Sequence, residues 1–250
     1  MNLLKSVLGS LVIFFMLASP ATAQDEALER TDVEKIVHEY LVKNPEIIVE
    51  ALQVLQERQQ TAAVLPTLRR YKTWLEDEKM AYSIGNPDGD ITIVEFFDFR
   101  CGYCKRHFPV LQQLAERNPD LKIIFKQYPI LDRPNTEALS RQSALAAMFA
   151  SSKGKGAEFH EAMMSTTGSV TAQAIRDNIR KVGLDVFEMD KAVKTVAVTS
   201  ALDSSLYVGR EMRFDATPSY IVGEQVFTGG VGEDRLQRAI EQARSRQTSP

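Results

Sequence analysis

The sequence predicts an α/β fold in which a helical block interrupts a buried sheet, with a separate helical segment ahead of it. Three observations carry this. Ile91-Thr92-Ile93-Val94-Glu95-Phe96-Phe97 is a nearly continuous apolar run of β-favouring residues, as a central strand covered on both faces requires. It is followed by Cys101-Gly102-Tyr103-Cys104, a helical pattern and a second apolar run, Leu121–Phe125, an order that makes a parallel β-α-β unit. From Thr136 to about Val208 the spacing turns helical, and strand character returns only after Pro218.

Composition sets the outer bounds. The chain has 250 residues, 44% hydrophobic and 25% charged, which suits one sizeable domain plus an appendage, or two small domains. A formal net charge of −3 with no basic excess gives no footprint for nucleic acid. At the N-terminus, Lys5 precedes the apolar run Val7–Leu17, too short for a confident membrane span, and Ala21-Thr22-Ala23 supplies a cleavage pattern. A cleavable signal peptide over 1–23 is therefore expected, with export to the periplasm and a mature chain beginning near Gln24. An exported chain with only Cys101 and Cys104 has no disulfide framework. A purely structural bond over so short a loop would remove little unfolded-state entropy.

Taken in order, the mature chain begins with two short amphipathic helices. Thr31 and Glu34 fit a capping box before Val33, Ile36, Val37, Tyr40 and Leu41 at helical spacing. Asn44 and Pro45 fit the N-cap and first position of the next helix, whose apolar face is Ile47, Ile48, Ala51, Leu52 and Leu55. Helices this short cannot bury their faces alone, so they either dock on the main domain or pair with copies of themselves. Residues 61–81 are expected as a connecting helix, with Pro66 a kink or restart point. Residues 24–80 thus form the N-terminal segment and linker, and 81–250 the main domain. Tyr82–Asp90 reads as a turn into the first strand. The helix after Cys104 should kink at Pro109 and stop at Asn118-Pro119. The helical insertion, about 134–208, divides into Ala138–Ala150, Ala157–Met164, Thr171–Val182, Val186–Val198 and a helix through Leu206. A hairpin of Tyr220–Val222 and Gln225–Thr228 around Gly223-Glu224, then a helix over Glu233–Arg244, close the chain.

The chemistry centres on the cysteines. A Cys-x-x-Cys just after a buried strand lies at a helix N-terminus, where unpaired N–H groups and the helix dipole stabilise a thiolate on Cys101. Thiols in such motifs titrate at about 3.5–7.5, against about 8.5 for free cysteine. Cys104, one turn on, is placed to attack a mixed disulfide held on Cys101. Glu95, among apolar neighbours, is costly to bury unless protonated or paired, and a raised pKa would suit a proton shuttle to Cys104. His107 and the two cysteines offer three soft ligands, but zinc usually takes four and no second Cys/His cluster completes a metal site. His38 and His160 are single residues on helices, read as ordinary surface or core histidines.

VEFFDFRCGYCKR closely resembles the thioredoxin superfamily and, within it, the DsbA-like periplasmic oxidoreductases. Ala216-Thr217-Pro218-Ser219-Tyr220-Ile221-Val222-Gly223, far downstream, is similar to the superfamily's cis-proline loop. The resemblance implies a thioredoxin-like fold with an inserted helical domain. It implies a redox-active Cys101/Cys104 disulfide that carries the two electrons itself, with no other cofactor. Glu95 takes the family's buried acidic position, and Pro218 is expected in the cis form beside Cys101. Thr217, with Gly102 and Tyr103 between the cysteines, is expected to line the substrate edge, Thr217 through its main chain.

The N-terminal stretch VEKIVHEYLVKNPEIIVEALQVLQERQQ resembles the oligomerisation segment of ScsC-type members of that family. It implies a homo-oligomer, dimer or trimer, through residues 31–60. The function implied is an exported thiol–disulfide oxidoreductase acting on unfolded or mis-disulfided exported proteins. On the isomerase or reductase side it would be served by a DsbD-like membrane reductant. The alternative is a monomeric DsbA-like oxidase served by a DsbB-like oxidant. From other classes come a non-catalytic client-binding module and a copper-binding protein.

Overall fold

The computed structural model describes residues 29–247, so the expected leader lies outside the described residues. In chain order, helices α1 (Arg30–Lys43) and α2 (Glu46–Glu76) precede strands β1 (Tyr82–Gly85) and β2 (Ile91–Phe97). Helix α3 (Gly102–Arg117) leads to β3 (Leu121–Gln127). Five helices follow: α4 (Leu139–Ser152), α5 (Gly156–Met164), α6 (Ala172–Lys181), α7 (Val186–Ala192) and α8 (Val196–Glu211). The hairpin β4 (Ser219–Val222) and β5 (Gln225–Thr228) and the helix α9 (Glu233–Gln247) complete the order. The chain divides into two units after Val49.

In the first unit, α1 buries none of its side chains, and Val33, Ile36, Val37 and Tyr40 all stand exposed. The expected capping box does not form. The helix starts earlier, with Glu29 at the N-cap and no side chain capping it, so Thr31 already has helical backbone and Glu34 pairs with Arg30 at 2.9 Å. Asn44 closes α1 rather than capping α2 with its side chain. Its amide nitrogen donates to the Tyr40 carbonyl at 2.8 Å, and its backbone N–H donates to the same oxygen at 2.9 Å.

The separate connecting helix expected from Thr61 is absent, because α2 runs unbroken for 31 residues through Pro66. No glycine interrupts residues 46–76, and the polar stretch 56–60 consists of good helix formers. Pro66 removes one N–H, while burial of Val64, Leu68 and Leu75 holds the helix on both sides of it. Its contacts to the sheet are polar as well. Val226 N–H donates to Thr61 Oγ1 at 3.1 Å and Gln60 Nε2 to Thr228 Oγ1, which covers the otherwise open edge of β5. At the far end Lys126 Nζ donates to the Trp74 carbonyl at 3.0 Å and sits 4.5 Å from the Trp74 ring centre.

The five strands lie in the order β1-β3-β2-β4-β5, with β2 and β3 parallel and the other pairs antiparallel. β2 is therefore central, and it is covered on both faces as its apolar run requires. Ile91, Ile93 and Phe97 point into one core with α3, the inserted helices and α9, whereas Val94 and Phe96 point into a second with α2 and α8. β1 was expected as part of a turn. It is too short to show a period, and it becomes a strand by pairing with the outer edge of β3, Tyr82 opposite Phe125. Gly85, at φ +84, ends it where a Cβ would lie 2.4 Å from the Leu121 carbonyl oxygen.

The helical insertion stands between β3 and β4. The expected Val186–Val198 segment is two helices, split where Thr195 turns extended and its hydroxyl donates to the Ala192 carbonyl at 2.7 Å. Among the described residues, no helix is long and apolar enough to cross a membrane.

Candidate active site

β2 ends where its backbone must turn sharply into α3, and Asp98 makes that turn. Its carbonyl accepts from Cys101 N at 2.9 Å, while its carboxylate accepts from Arg100 N at 2.8 Å and Leu131 N at 3.0 Å. Arg100 in turn pairs with Asp132 at 3.0 Å, whose carboxylate also takes the N–H groups of Ser140 and Arg141 at the start of α4. The cysteine turn is thereby tied to the helical insertion.

Cys101 is the N-cap residue of α3, and its sulfur accepts from Cys104 N at 3.5 Å. Both cysteines are free thiols in the structure and both are buried, but they differ sharply in ionisation. A hydrogen bond from the Cys104 thiol, with others from the residues of the helix start, holds the Cys101 thiol at about 5 against the desolvation that opposes it. Burial, reinforced by that same bond, pushes Cys104 strongly upward. One sulfur is thus a thiolate at neutral pH and the other a thiol.

The Thr217–Pro218 peptide is cis. The loop carries the Thr217 carbonyl to 3.1 Å from the Cys101 sulfur. Thr217 Oγ1 is buried without a hydrogen-bond partner, and the Pro218 carbonyl accepts from Gly229 N at 2.8 Å. Gly102 and Tyr103 are exposed beside the pair, and the Arg106 guanidinium lies 4.4 Å from the centre of the Tyr103 ring.

Glu95 follows the alternation of Ile93 and Phe97, so its side chain lies on the α3 side of the sheet, where Cys104 is. It is 1% exposed and its Oε1 has no partner. Burial holds its carboxyl well above the usual carboxylate range, the charge of Cys101 adds to this, and a hydrogen bond from Tyr220 opposes it. Tyr220 stands directly opposite Glu95 in the β2–β4 pair, and its hydroxyl lies 3.1 Å from His107 Nδ1. His107, considered from sequence as a third soft ligand, is thus engaged with Tyr220. Among the described residues no group of three or more His, Cys, Asp or Glu side chains is arranged to hold a metal ion.

Two features carried no signal in the sequence. The Tyr220–His107 contact joins residues 113 positions apart, and only the register of β4 on β2 brings them together. His160, fully buried beneath α3, packs against Phe97, Phe99, Phe108 and Phe125. Its Nδ1 lies 2.6 Å from the Tyr82 hydroxyl, which accepts from Gln127 Nε2.

Comparison with known proteins agrees with this geometry. The model of the DSBA-like thioredoxin domain matches residues 92–241, and that of the copper resistance protein ScsC N-terminal domain matches 29–62. A thioredoxin-like oxidoreductase from Silicibacter pomeroyi superposes with a TM-score of 0.63 at 32% identity, over 68% of this chain and 96% of that one. A linker-deleted mutant of Proteus mirabilis ScsC gives 0.65 at 22% identity, over 89% and 99%. Of curated relatives, the thiol:disulfide interchange protein DsbA of Burkholderia cepacia is 23% identical over 60% of this chain and 71% of its own length. A sodium/proton antiporter of Salinispora arenicola is 23% identical over 64% of this chain, which spans only 24% of that protein. With its strand-to-helix cysteine pair facing a cis-proline loop, and with that match over more than half its length, this chain belongs to the DSBA-like thioredoxin domain family of thiol–disulfide oxidoreductases.

Proposed function

We propose that this chain acts in the periplasm on the disulfides of exported proteins, as an oligomeric isomerase or reductase assembled through residues 31–60. The observation that carries the redox reading is the asymmetry of the pair: Cys101 titrates at about 5 while Cys104 is held protonated. The Cys101 thiolate attacks one sulfur of a client disulfide, which forms a Cys101–client bond and releases the other client sulfur as thiolate. In reduction, Cys104 then loses its proton and attacks the Cys101 sulfur, and the second client thiolate leaves. The client gains two electrons, and the pair becomes a disulfide with no further cofactor. In isomerisation the freed client thiolate attacks a sulfur of another client disulfide, and the client thiolate this displaces attacks the client sulfur bonded to Cys101, which leaves as thiolate.

The Thr217 main chain, with Gly102 and Tyr103, forms the edge against which an extended client segment lies. Exposed Val33, Ile36, Val37 and Tyr40 on α1, and Leu52 and Leu55 on α2, support self-association, as does the ScsC-type match over 29–62. Partners are mis-disulfided exported proteins and a DsbD-like membrane reductant. One observation favours a second reading, a monomeric oxidase served by a DsbB-like oxidant. A thiolate stabilised to about 5 stabilises the dithiol form, which makes the disulfide form an oxidant.

The two readings separate on scrambled ribonuclease, using the whole chain and a Val37→Asp/Leu52→Asp variant whose masses are measured by sedimentation. An oligomer that restores ribonuclease activity, with a monomeric variant that does not, supports the isomerase. A whole chain that sediments as a monomer, oxidises reduced ribonuclease and fails to unscramble it leaves the oxidase.

A further inference from the structure

We propose that Tyr220 and His107 form the route by which protons pass between the buried Glu95–Cys104 centre and solvent. The proposal rests on the thiol–disulfide reading above and adds two residues to it.

Resolution of a mixed disulfide requires Cys104 to lose a proton, and Cys104 is 1% exposed. Glu95 is equally buried, on the same side of the sheet, and its charge acts on Cys104. A base that cannot reach water serves only one turnover unless its proton has an exit. Tyr220 supplies the first stage of one. It is opposite Glu95 across the β2–β4 pair, fully buried, hydrogen-bonded to the Glu95 carboxyl, and its hydroxyl lies 3.1 Å from His107 Nδ1.

His107 supplies the second stage. It sits one turn beyond Cys104 on α3 and is only partly buried. Its other nitrogen, Nε2, faces the loop at Gly230, where even a Cβ would come to 3.3 Å, and the exposed Tyr103 ring borders the same spot. The route therefore leads from a buried carboxyl with an unpartnered oxygen, by way of Tyr220, to a half-buried histidine ring beside the exposed Gly230. Burial, and next Arg106 beside it, favour the neutral imidazole, the form that can take up a proton at neutral pH.

Glu95, protonated at rest, first sends its proton out by the Tyr220–His107 route. With a client sulfur bonded to Cys101, Cys104 then gives its thiol proton to the Glu95 carboxylate and attacks the Cys101 sulfur. The Cys101–client bond breaks, the Cys101–Cys104 bond forms, and the client sulfur leaves as thiolate. Glu95 passes its proton to the Tyr220 oxygen as the Tyr220 hydroxyl proton passes to His107 Nδ1. The imidazolium then releases a proton from Nε2 to water. Electrons move only among the three sulfurs.

The test follows the reduced whole chain mixed with oxidised glutathione, acid-quenched at intervals and weighed by mass spectrometry. This separates formation of the Cys101–glutathione bond from its resolution by Cys104. His107→Phe and Tyr220→Phe should each slow resolution about tenfold to a hundredfold near neutral pH, leave formation unchanged, and approach the unsubstituted rate in alkali. Added imidazole should restore the His107→Phe rate. The groups acting on His107 are Arg106 and Cys101, and those acting on Tyr220 are Glu95, Cys104 and Cys101, all present in the His107→Phe protein. Resolution at the unsubstituted rate in both variants overturns the relay. So does an equal slowing of both steps that imidazole does not relieve, which marks a structural role. If the unsubstituted chain forms no glutathione adduct at all, the thiol–disulfide reading falls and takes the relay with it.

Discussion

The sulfur of Cys101 lies 3.1 Å from the carbonyl oxygen of Thr217, a contact that spans 116 residues of sequence and joins the start of α3 to the loop before β4. It fixes the Cys101 sulfur beside a backbone edge. The thiol reaches that carbonyl only as a donor, and the thiolate is held instead chiefly by the Cys104 thiol, with N–H groups of the helix start adding to it. Ionisation therefore exchanges one set of contacts for another within the same pocket.

The first prediction concerns that ionisation. Cys101 should titrate near 5, and its alkylation by iodoacetamide should stay fast down to that pH, whereas Cys104 should resist alkylation throughout the neutral range. The folded pKa lies below the ordinary value of 9.0, so the thiolate stabilises the reduced fold above about pH 9 in full, and this is lost as pH falls toward 5. The reduced form should thus lose stability relative to a Cys101→Ser variant on acidification through that window. An alkylation midpoint near that of free cysteine would contradict the role assigned to the helix N-terminus.

Glu95 gives the opposite sign. Its folded pKa is raised above the ordinary 4.5, chiefly by burial, so the folded state holds a proton that the unfolded chain has released. Stability is lost as pH rises from about 4.5 toward the raised value. Glu95→Gln keeps the shape and removes the titration. Its melting temperature should exceed that of the unsubstituted protein at neutral pH and converge with it near pH 4, while disulfide resolution slows. Equal stability differences at both pH values would mean that the carboxyl does not titrate in the fold.

How much of this was legible in the sequence follows from the range of the interactions. β2, the cysteine turn and α3 are local: an apolar run, a pair of cysteines and an N-cap position can be read residue by residue. The hairpin around Gly223-Glu224 was legible for the same reason, and the resemblance supplied the cis-proline loop opposite. The strand β1 was not, because four residues with one buried side chain carry no period and owe their form to the free edge of β3. The continuity of α2 through Pro66 was hidden because its anchors, Lys126, Val226 and Thr228, lie in strands far along the chain. The Glu95–Tyr220–His107 arrangement was hidden for a related reason. β4 had to be registered on β2 before any of the three acquired a neighbour.

His160 carries the last prediction. Read from sequence as a single histidine on a helix, it proves to be fully buried, ringed by phenylalanines, with Nδ1 bonded to the Tyr82 hydroxyl and Nε2 without a polar partner. Because Gln127 donates to the Tyr82 oxygen, the Tyr82 proton points to Nδ1, which leaves the imidazole neutral with its own proton on Nε2. Burial drives its pKa down to about 3 from 6.5. The unfolded chain therefore binds a proton that the fold refuses, and stability falls as pH drops below 6.5, by about 1.4 kcal/mol per pH unit until about pH 3. A His160→Gln variant cannot titrate, keeps an acceptor for Tyr82, and should lack this slope, although it is less stable at neutral pH for want of the ring's packing. Urea unfolding of both proteins between pH 7 and 4 measures the difference directly. Parallel stability profiles would show that the ring is reached by protons without unfolding, and would overturn its assignment as a sealed neutral histidine beneath the cysteine helix.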